Sequence, residues 1–341
     1  MYYTKRVLRS SFDKEKYKAL LSKNELDYSE CDFEFGIFDE DLLIGAIALD
    51  NNCIKQICVD KKYQGEGITA TLVSEIIRFA NNKGIIDLFV FTKPDYEQLF
   101  VSLGFNSICK IDKVVLLENK RDGINQYVDE LKQSFVNKHK VGALVMNLNP
   151  ITKGHLYLIE KALEQADHVH LFLVKEDKSS FPYEVRLKLL EESVSYLSNL
   201  TIHSGSDYII SSLTFPTYFI KSSADIDKSY PLLDASIFAD YIAKALNITV
   251  RFVGSEPYSK TTNVYNKVLK AELPKFGIEV IEIDRVKING EIVSASKVRN
   301  CIKSDDISSI VNFVPEAVVK FLKTKAGKDI IKKIKNSESR H

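Results

Sequence analysis

Asn149-Pro-Ile-Thr-Lys-Gly-His155 sets a hydroxyl, a glycine and an imidazole within four residues, just after the apolar run Val141–Met146. Leu156, Ile159, Leu163 and Ala166 then recur at helical spacing, which predicts a helix beginning near Lys153 or Gly154. A first helical turn carries unpaired N–H groups and the positive end of the macrodipole, so a phosphate is favoured there. Gly154 lets a ligand approach the backbone, Thr152 adds a hydroxyl, and His155 can offer a ring N–H to a phosphate oxygen. Neither GxxxxGK(S/T) nor GxGxxG occurs at this turn, so the two commonest phosphate loops are excluded here.

A second group of the same kind is Val293-Ser-Ala-Ser-Lys-Val-Arg299, which follows the predicted strand around 279–284 by a loop. A serine caps a helix here, and Arg299 lies three residues beyond Ser296, on the face that looks past the cap. Hydroxyls, free N–H groups and a guanidinium would converge on one spot.

The elements that must hold these groups follow from the pattern after Lys140. Strands expected at 141–146, 169–174, 199–203, 207–211, 249–253 and 279–284 alternate with helices near 154–166, 183–196, 234–246, 262–271, 296–303 and 315–325. That alternation is the sign of a parallel sheet with helices on both faces. Both chemical groups then lie beyond the carboxyl ends of parallel strands, where open α/β sheets bind ligands.

The TxGH and SxSxxR patterns resemble the HxGH and ISSSxxR motifs of nucleotidylyltransferases, with Thr152 in place of the first histidine. Longer blocks, VMNLNPITKGHLYLIEKA, HLFLVKEDKSSFPYEVRLKL, FPTYFIK, RFVGSEPYSKTTNVYN and SASKVR, resemble the citrate (pro-3S)-lyase ligase family. The resemblance implies that His155 and Thr152 contact the phosphates of ATP, with Asn149 and Gly154 in the same loop. It implies that Ser294, Ser296 and Arg299 hold the β and γ phosphates, and makes Lys175 and Arg186 further candidate catalytic cations. Gly254 would let the backbone approach the nucleotide, and Glu256 would meet ribose or base. Mg²⁺ is expected as the neutraliser of the polyphosphate, with no protein metal site. The implied reaction joins acetate to ATP as acetyl adenylate with release of pyrophosphate. A thiol on the phosphoribosyl-dephospho-CoA group of the citrate lyase acyl carrier subunit then takes the acetyl group.

Residues 1–118 read differently, as short helices mixed with strands at 33–38, 42–49, 54–59 and 87–92. Gly65, Gly67 and Ala70 satisfy GxGxxA, yet about fifty residues precede the strand and no acidic residue ends a following strand at the right distance. The dinucleotide reading is therefore rejected. Gln64, Gly65 and Gly67 instead resemble the pyrophosphate loop of the GNAT acetyltransferase fold, with Thr69 departing from its last position. Tyr96–Phe105 resembles the helix and bulge that close such domains. The resemblance implies that Gln64, Gly65 and Gly67 bind the CoA-like group.

The expected architecture is thus α/β throughout: a GNAT-like α+β domain over 1–118, a linker helix over 119–140, a Rossmann-like nucleotidylyltransferase domain with a parallel sheet over 141–330, and a basic tail over 331–341. Two other readings fit the same residues. One is a bifunctional acetyltransferase and nucleotidylyltransferase in cofactor synthesis, the other a non-catalytic sensor of nucleotide and CoA. With 47 basic and 46 acidic residues the net charge is +1, so no global field holds nucleic acid or a membrane surface. The five cysteines form no CxxC pair, and the N-terminus lacks a signal-peptide core. No run of about 20 apolar residues occurs, and a soluble cytoplasmic protein is expected.

Overall fold

A computed structural model describes residues 4–175, 179–210, 229–256, 259–288 and 290–336. The chain divides into two compact units, Met1–Gly123 and Ile124–His341. The segment 215–221, FPTYFIK, lies outside the described residues.

The first unit is built on a seven-stranded sheet. Its strands are β1 (Thr4–Val7), β2 (Phe33–Asp39), β3 (Leu42–Asp50), β4 (Cys53–Val59), β5 (Phe89–Thr92), β6 (Asn106–Lys110) and β7 (Val115–Glu118). Their order is β1-β2-β3-β4-β5-β7-β6, antiparallel except where β4 meets β5. The central β3 is apolar without alternation because both faces are covered. Ile44, Ile47 and Leu49 pack under the Ile68–Asn82 helix, while Leu43 and Ala46 pack with Tyr17, Leu20 and Leu21 of the Ser11–Lys23 helix. Strands β4 and β5 pair only at Cys53↔Phe89 and Ile54↔Val90. The helix Glu97–Ser102 and a register shift between Ser107 and Cys109 lie where the sequence predicts a helix and bulge.

The second unit carries a five-stranded parallel sheet of β8 (Val141–Met146), β9 (His168–Leu173), β10 (Leu200–His203), β11 (Val250–Gly254) and β12 (Glu279–Ile283), in the order β10-β9-β8-β11-β12. The order reverses between β8 and β11, so the crevice at their carboxyl ends is the topological switch point. On one face Leu144 and Met146 of β8 pack against the helices Lys153–Leu163, Tyr183–Val194, Ala295–Lys303 and Glu316–Lys323. On the other, Val141 and Ala143 meet the helix Lys260–Glu272 and a helix running from Ser229 to Leu246, π-wound over Phe238–Ala243. Leu131 of the Gly123–Lys132 helix joins the same cluster.

Two expectations change. Asp207–Ile210 forms turns and bends rather than a strand, and residue 211 lies outside the described residues. The region expected as a tail from 331 continues the helix Lys325–Asn336, because Ile330 and Ile334 are buried against the unit's core. The unit also carries a hairpin of β13 (Lys287–Ile288) and β14 (Glu291–Ile292), and the sequence between them reads Asn-Gly, a strong hairpin signal.

Candidate active site

Thr152 caps the Lys153–Leu163 helix from extended backbone, its Oγ1 accepting the His155 N–H at 3.3 Å. His155 answers, its Nδ1 accepting the Thr152 N–H at 3.0 Å. This reciprocal cap usually ends in Glu or Gln; here the imidazole does that work, and the bond fixes its chemistry. With Nδ1 accepting, the proton of the neutral ring sits on Nε2. Burial pushes the His155 pKa down to about 4, and the positive charge of Arg285 acts in the same direction. At neutral pH His155 is therefore an uncharged N–H donor. The Thr152 hydroxyl, expected to face a ligand, is instead buried in the cap.

The second motif meets the first directly. Ser294 caps the Ala295–Lys303 helix, its Oγ accepting the Lys297 N–H at 3.2 Å. Arg299, nearly buried, donates from one amino group to the Asn149 carbonyl and from the other to Ser296 Oγ at 3.2 Å. Burial lowers its pKa from the ordinary arginine range. A Cβ on Gly154 would stand 3.1 Å from the Val293 carbonyl oxygen. Gly154 thus serves first to let the two helix starts approach. The amides of Gly154, Ala295 and Ser296 have no partner among the described residues, so the joined helix starts present three free donors. Beside them a cavity is lined by Lys287, Gly290, Ile292, Ser294, Ser296, Lys297 and Asn300. The Lys297 ammonium stands 4.5 Å from the centre of the Phe313 ring.

Several residues expected at the ligand are bonded within the protein. Arg186 is fully buried, donating to the carbonyls of Phe181 at 3.1 Å, Asn147 at 2.7 Å and Val174 at 2.8 Å. It ties the ends of β8 and β9 together, because a guanidinium can satisfy several strand-end carbonyls at once. Asn149 is buried too, its Oδ1 accepting the Phe181 N–H at 3.0 Å. Glu256 accepts the Ser259 N–H at 3.1 Å and pairs with Arg285, so both carboxylate oxygens are engaged within the protein. Gly254 ends β11, with its carbonyl held by Asn266 at 3.0 Å. Lys175 stands exposed just past β9.

Three cations escaped the sequence reading. Arg285 lies two residues past the end of β12, donates to the Ser255 carbonyl at 2.7 Å, and acts electrostatically on His155. Lys287 and Lys297 line the cavity. Their signals were present: a cation just beyond a strand's carboxyl end, an Asn-Gly hairpin, and a lysine inside the capped SASK turn.

In the first unit, Gly65 and Gly67 take φ of 89° and 77°, and a Cβ on either would meet nothing within 4 Å. Backbone conformation therefore demands glycine there, and the space above the loop stays open. Gly67 is the left-handed N-cap of the Ile68–Asn82 helix and makes no side-chain cap bond. Gln64 is exposed, its amide reaching the Val59 carbonyl at 3.5 Å.

A parallel-sheet unit with two joined helix starts beyond its strands, preceded by a unit built on a mainly antiparallel sheet, defines a two-unit α/β protein. The comparisons narrow it. Residues 141–322 match the citrate lyase ligase C-terminal domain, and residues 10–114 match the acetyltransferase (GNAT) domain. The chain is 40% identical over 289 residues to the citrate (pro-3S)-lyase ligase of Escherichia coli (strain K12), covering 83% of this chain and 82% of that protein. It is 38% identical to the protein of the same name from Klebsiella pneumoniae, covering 93% of this chain and 94% of the relative. The chain belongs to the citrate lyase ligase family, a family of ligases.

Proposed function

We propose that the chain joins acetate to ATP as acetyl adenylate and passes the acetyl group to the thiol of the CoA-like group on the citrate lyase acyl carrier subunit. The observation that carries this reading is the trio of amides at two helix starts that have no partner among the described residues, with the neutral N–H of His155 in the same first turn as one of them. An acetate oxygen attacks the α-phosphorus; the new O–P bond forms as the bond to pyrophosphate breaks. Acetate is already anionic at neutral pH, so the step needs no protein nucleophile, only alignment and charge stabilisation. In this reading His155 donates to an α-phosphate oxygen without adding a competing charge equilibrium. Lys287, Lys297, Ser294 and Ser296 hold the leaving pyrophosphate. A magnesium ion would arrive with the polyphosphate and spread its charge.

In the second step the thiol sulfur bonds to the acyl carbon, AMP leaves with the bonding pair, and the thiol proton passes to solvent. Burial pushes the Cys53 and Cys58 thiols up to about 12 and Cys31 to about 11, which supports direct transfer rather than relay through these cysteines. Gln64, Gly65 and Gly67 are proposed to hold the pyrophosphate of the CoA-like group. The test is stoichiometry: acetate, ATP and deacetylated carrier should give one AMP for each thioester. Thioester formed from acetyl-CoA without ATP would overturn the proposal.

A further inference from the structure

The helix Lys325–Asn336 buries Gly327, Ile330 and Ile334 against the second unit's core, where Ile330 and Ile334 join Ile302 and Leu322 of its neighbours. Its other face carries lysines around one acidic residue, Asp329. Lys325, Lys328 and Lys332 follow one another at helical spacing on the exposed side, flanked by Lys323 and Lys333. Among the described residues, none of these five makes an ion pair, whereas nearby Lys320 and Lys335 pair with Glu316 and Asp305. Residues 295–336 hold ten lysines and arginines against four acidic residues, in a chain whose net charge is only +1. The positive surplus is therefore local, and its self-repulsion is only partly offset by Asp329 and by the ion pairs of Lys320 and Lys335.

Position gives the surplus a use. The helix Ala295–Lys303 begins at the cradle of free amides and ends beside Asp305, which Lys335 grips at 2.7 Å. Nine residues of helix span about 14 Å, so the basic face lies about one short helix from the site of adenylation. A thiol borne on a long CoA-like arm can reach the site while the protein that bears it rests on this face.

Resting on the reading of the site given above, we infer that Lys323, Lys325, Lys328, Lys332 and Lys333 form a docking face for an acidic surface of the carrier subunit that brings the thiol. The chemistry of the face favours a soluble acidic partner over an anionic membrane. Exposed positions of the helix carry no apolar side chain larger than Ala326, so nothing is available to insert among acyl chains. Charge pairing of this kind steers encounter and sets orientation, and it weakens as salt screens it.

The test is the full-length variant Lys325→Glu, Lys328→Glu, Lys332→Glu, assayed with the deacetylated carrier subunit. KM for the carrier should rise about tenfold or more, with kcat and acetate-driven ATP–pyrophosphate exchange unchanged, and wild-type KM should climb with salt. Unchanged exchange also reports that the variant is folded; if it is not, the three glutamine substitutions give the same reading at lower amplitude. Direct binding of the carrier without ATP separates this inference from the adenylation reading, since docking does not require chemistry. An unaltered KM and binding constant in the variant would overturn the inference. So would binding to phosphatidylglycerol vesicles that the substitutions abolish while carrier affinity holds.

Discussion

His155 concentrates the account at the scale of single residues. Its Nδ1 is committed to the Thr152 amide, and its pKa is held down near 4 by burial and by Arg285. Exchange activity should therefore show no inflection near pH 6.5 due to this residue, and a pH profile of wild type against His155→Gln checks it. Replacement by alanine removes both the cap and the donor, and should lower the exchange rate about 10²- to 10³-fold, the usual loss for one preorganised donor. Arg186 predicts a different signature. Because it satisfies three backbone carbonyls deep in the unit, Arg186→Met should cost about 3 kcal/mol or more in stability. Chemical denaturation measures this; a stable variant with only a raised KM for ATP would mean the arginine is a phosphate contact after all.

Secondary elements explain why so much of this was legible and where it was not. The parallel strands announced themselves as buried runs such as Val141–Met146, and the helix after His155 by its spacing, since burial on two faces or one leaves a direct imprint on residue order. Side-chain aim leaves none. Arg299 and Arg186 looked like cations for phosphate, yet both donate to backbone carbonyls in the loops after β8 and β9, which a buried guanidinium can satisfy. In the Lys325–Asn336 helix the run of lysines reads as a solvated face, and the buried side rests on Gly327, Ile330 and Ile334 alone. At the Gly65–Gly67 loop the backbone itself makes the prediction. Gly67→Val places a β-branched residue at φ of 77°, which should cost about 1–2 kcal/mol in the first unit's stability. It should abolish transfer to the carrier while leaving exchange intact; normal transfer would remove this loop from the CoA-like site.

For the molecule as a whole, acidity is a coordinated stress. His170 Nδ1 and His203 Nε2 share one hydrogen bond of 2.8 Å in the second unit's core, and burial keeps both rings neutral, as it does His155. Their folded pKa values lie below the unfolded value of 6.5. Stability is therefore intact above about pH 6.5 and falls as the pH drops toward 4, because the unfolded chain takes up protons that the folded chain refuses. Each histidine can contribute up to about 1.4 kcal/mol per pH unit, so the denaturant midpoint should decline measurably between pH 6.5 and 5; a flat profile would show that the rings are not neutral in the fold. The basic face of the Lys325–Asn336 helix and the amides of the two helix starts belong to one unit, so the proposed activation and docking would share a scaffold. Everything turns on the chemistry at those helix starts, which labelled pyrophosphate reads most directly. Wild-type protein should exchange label into ATP when acetate is added, not with citrate or nicotinamide mononucleotide, and His155→Ala should lose that exchange. Exchange that ignores acetate, or survives the loss of His155 undiminished, would contradict the account.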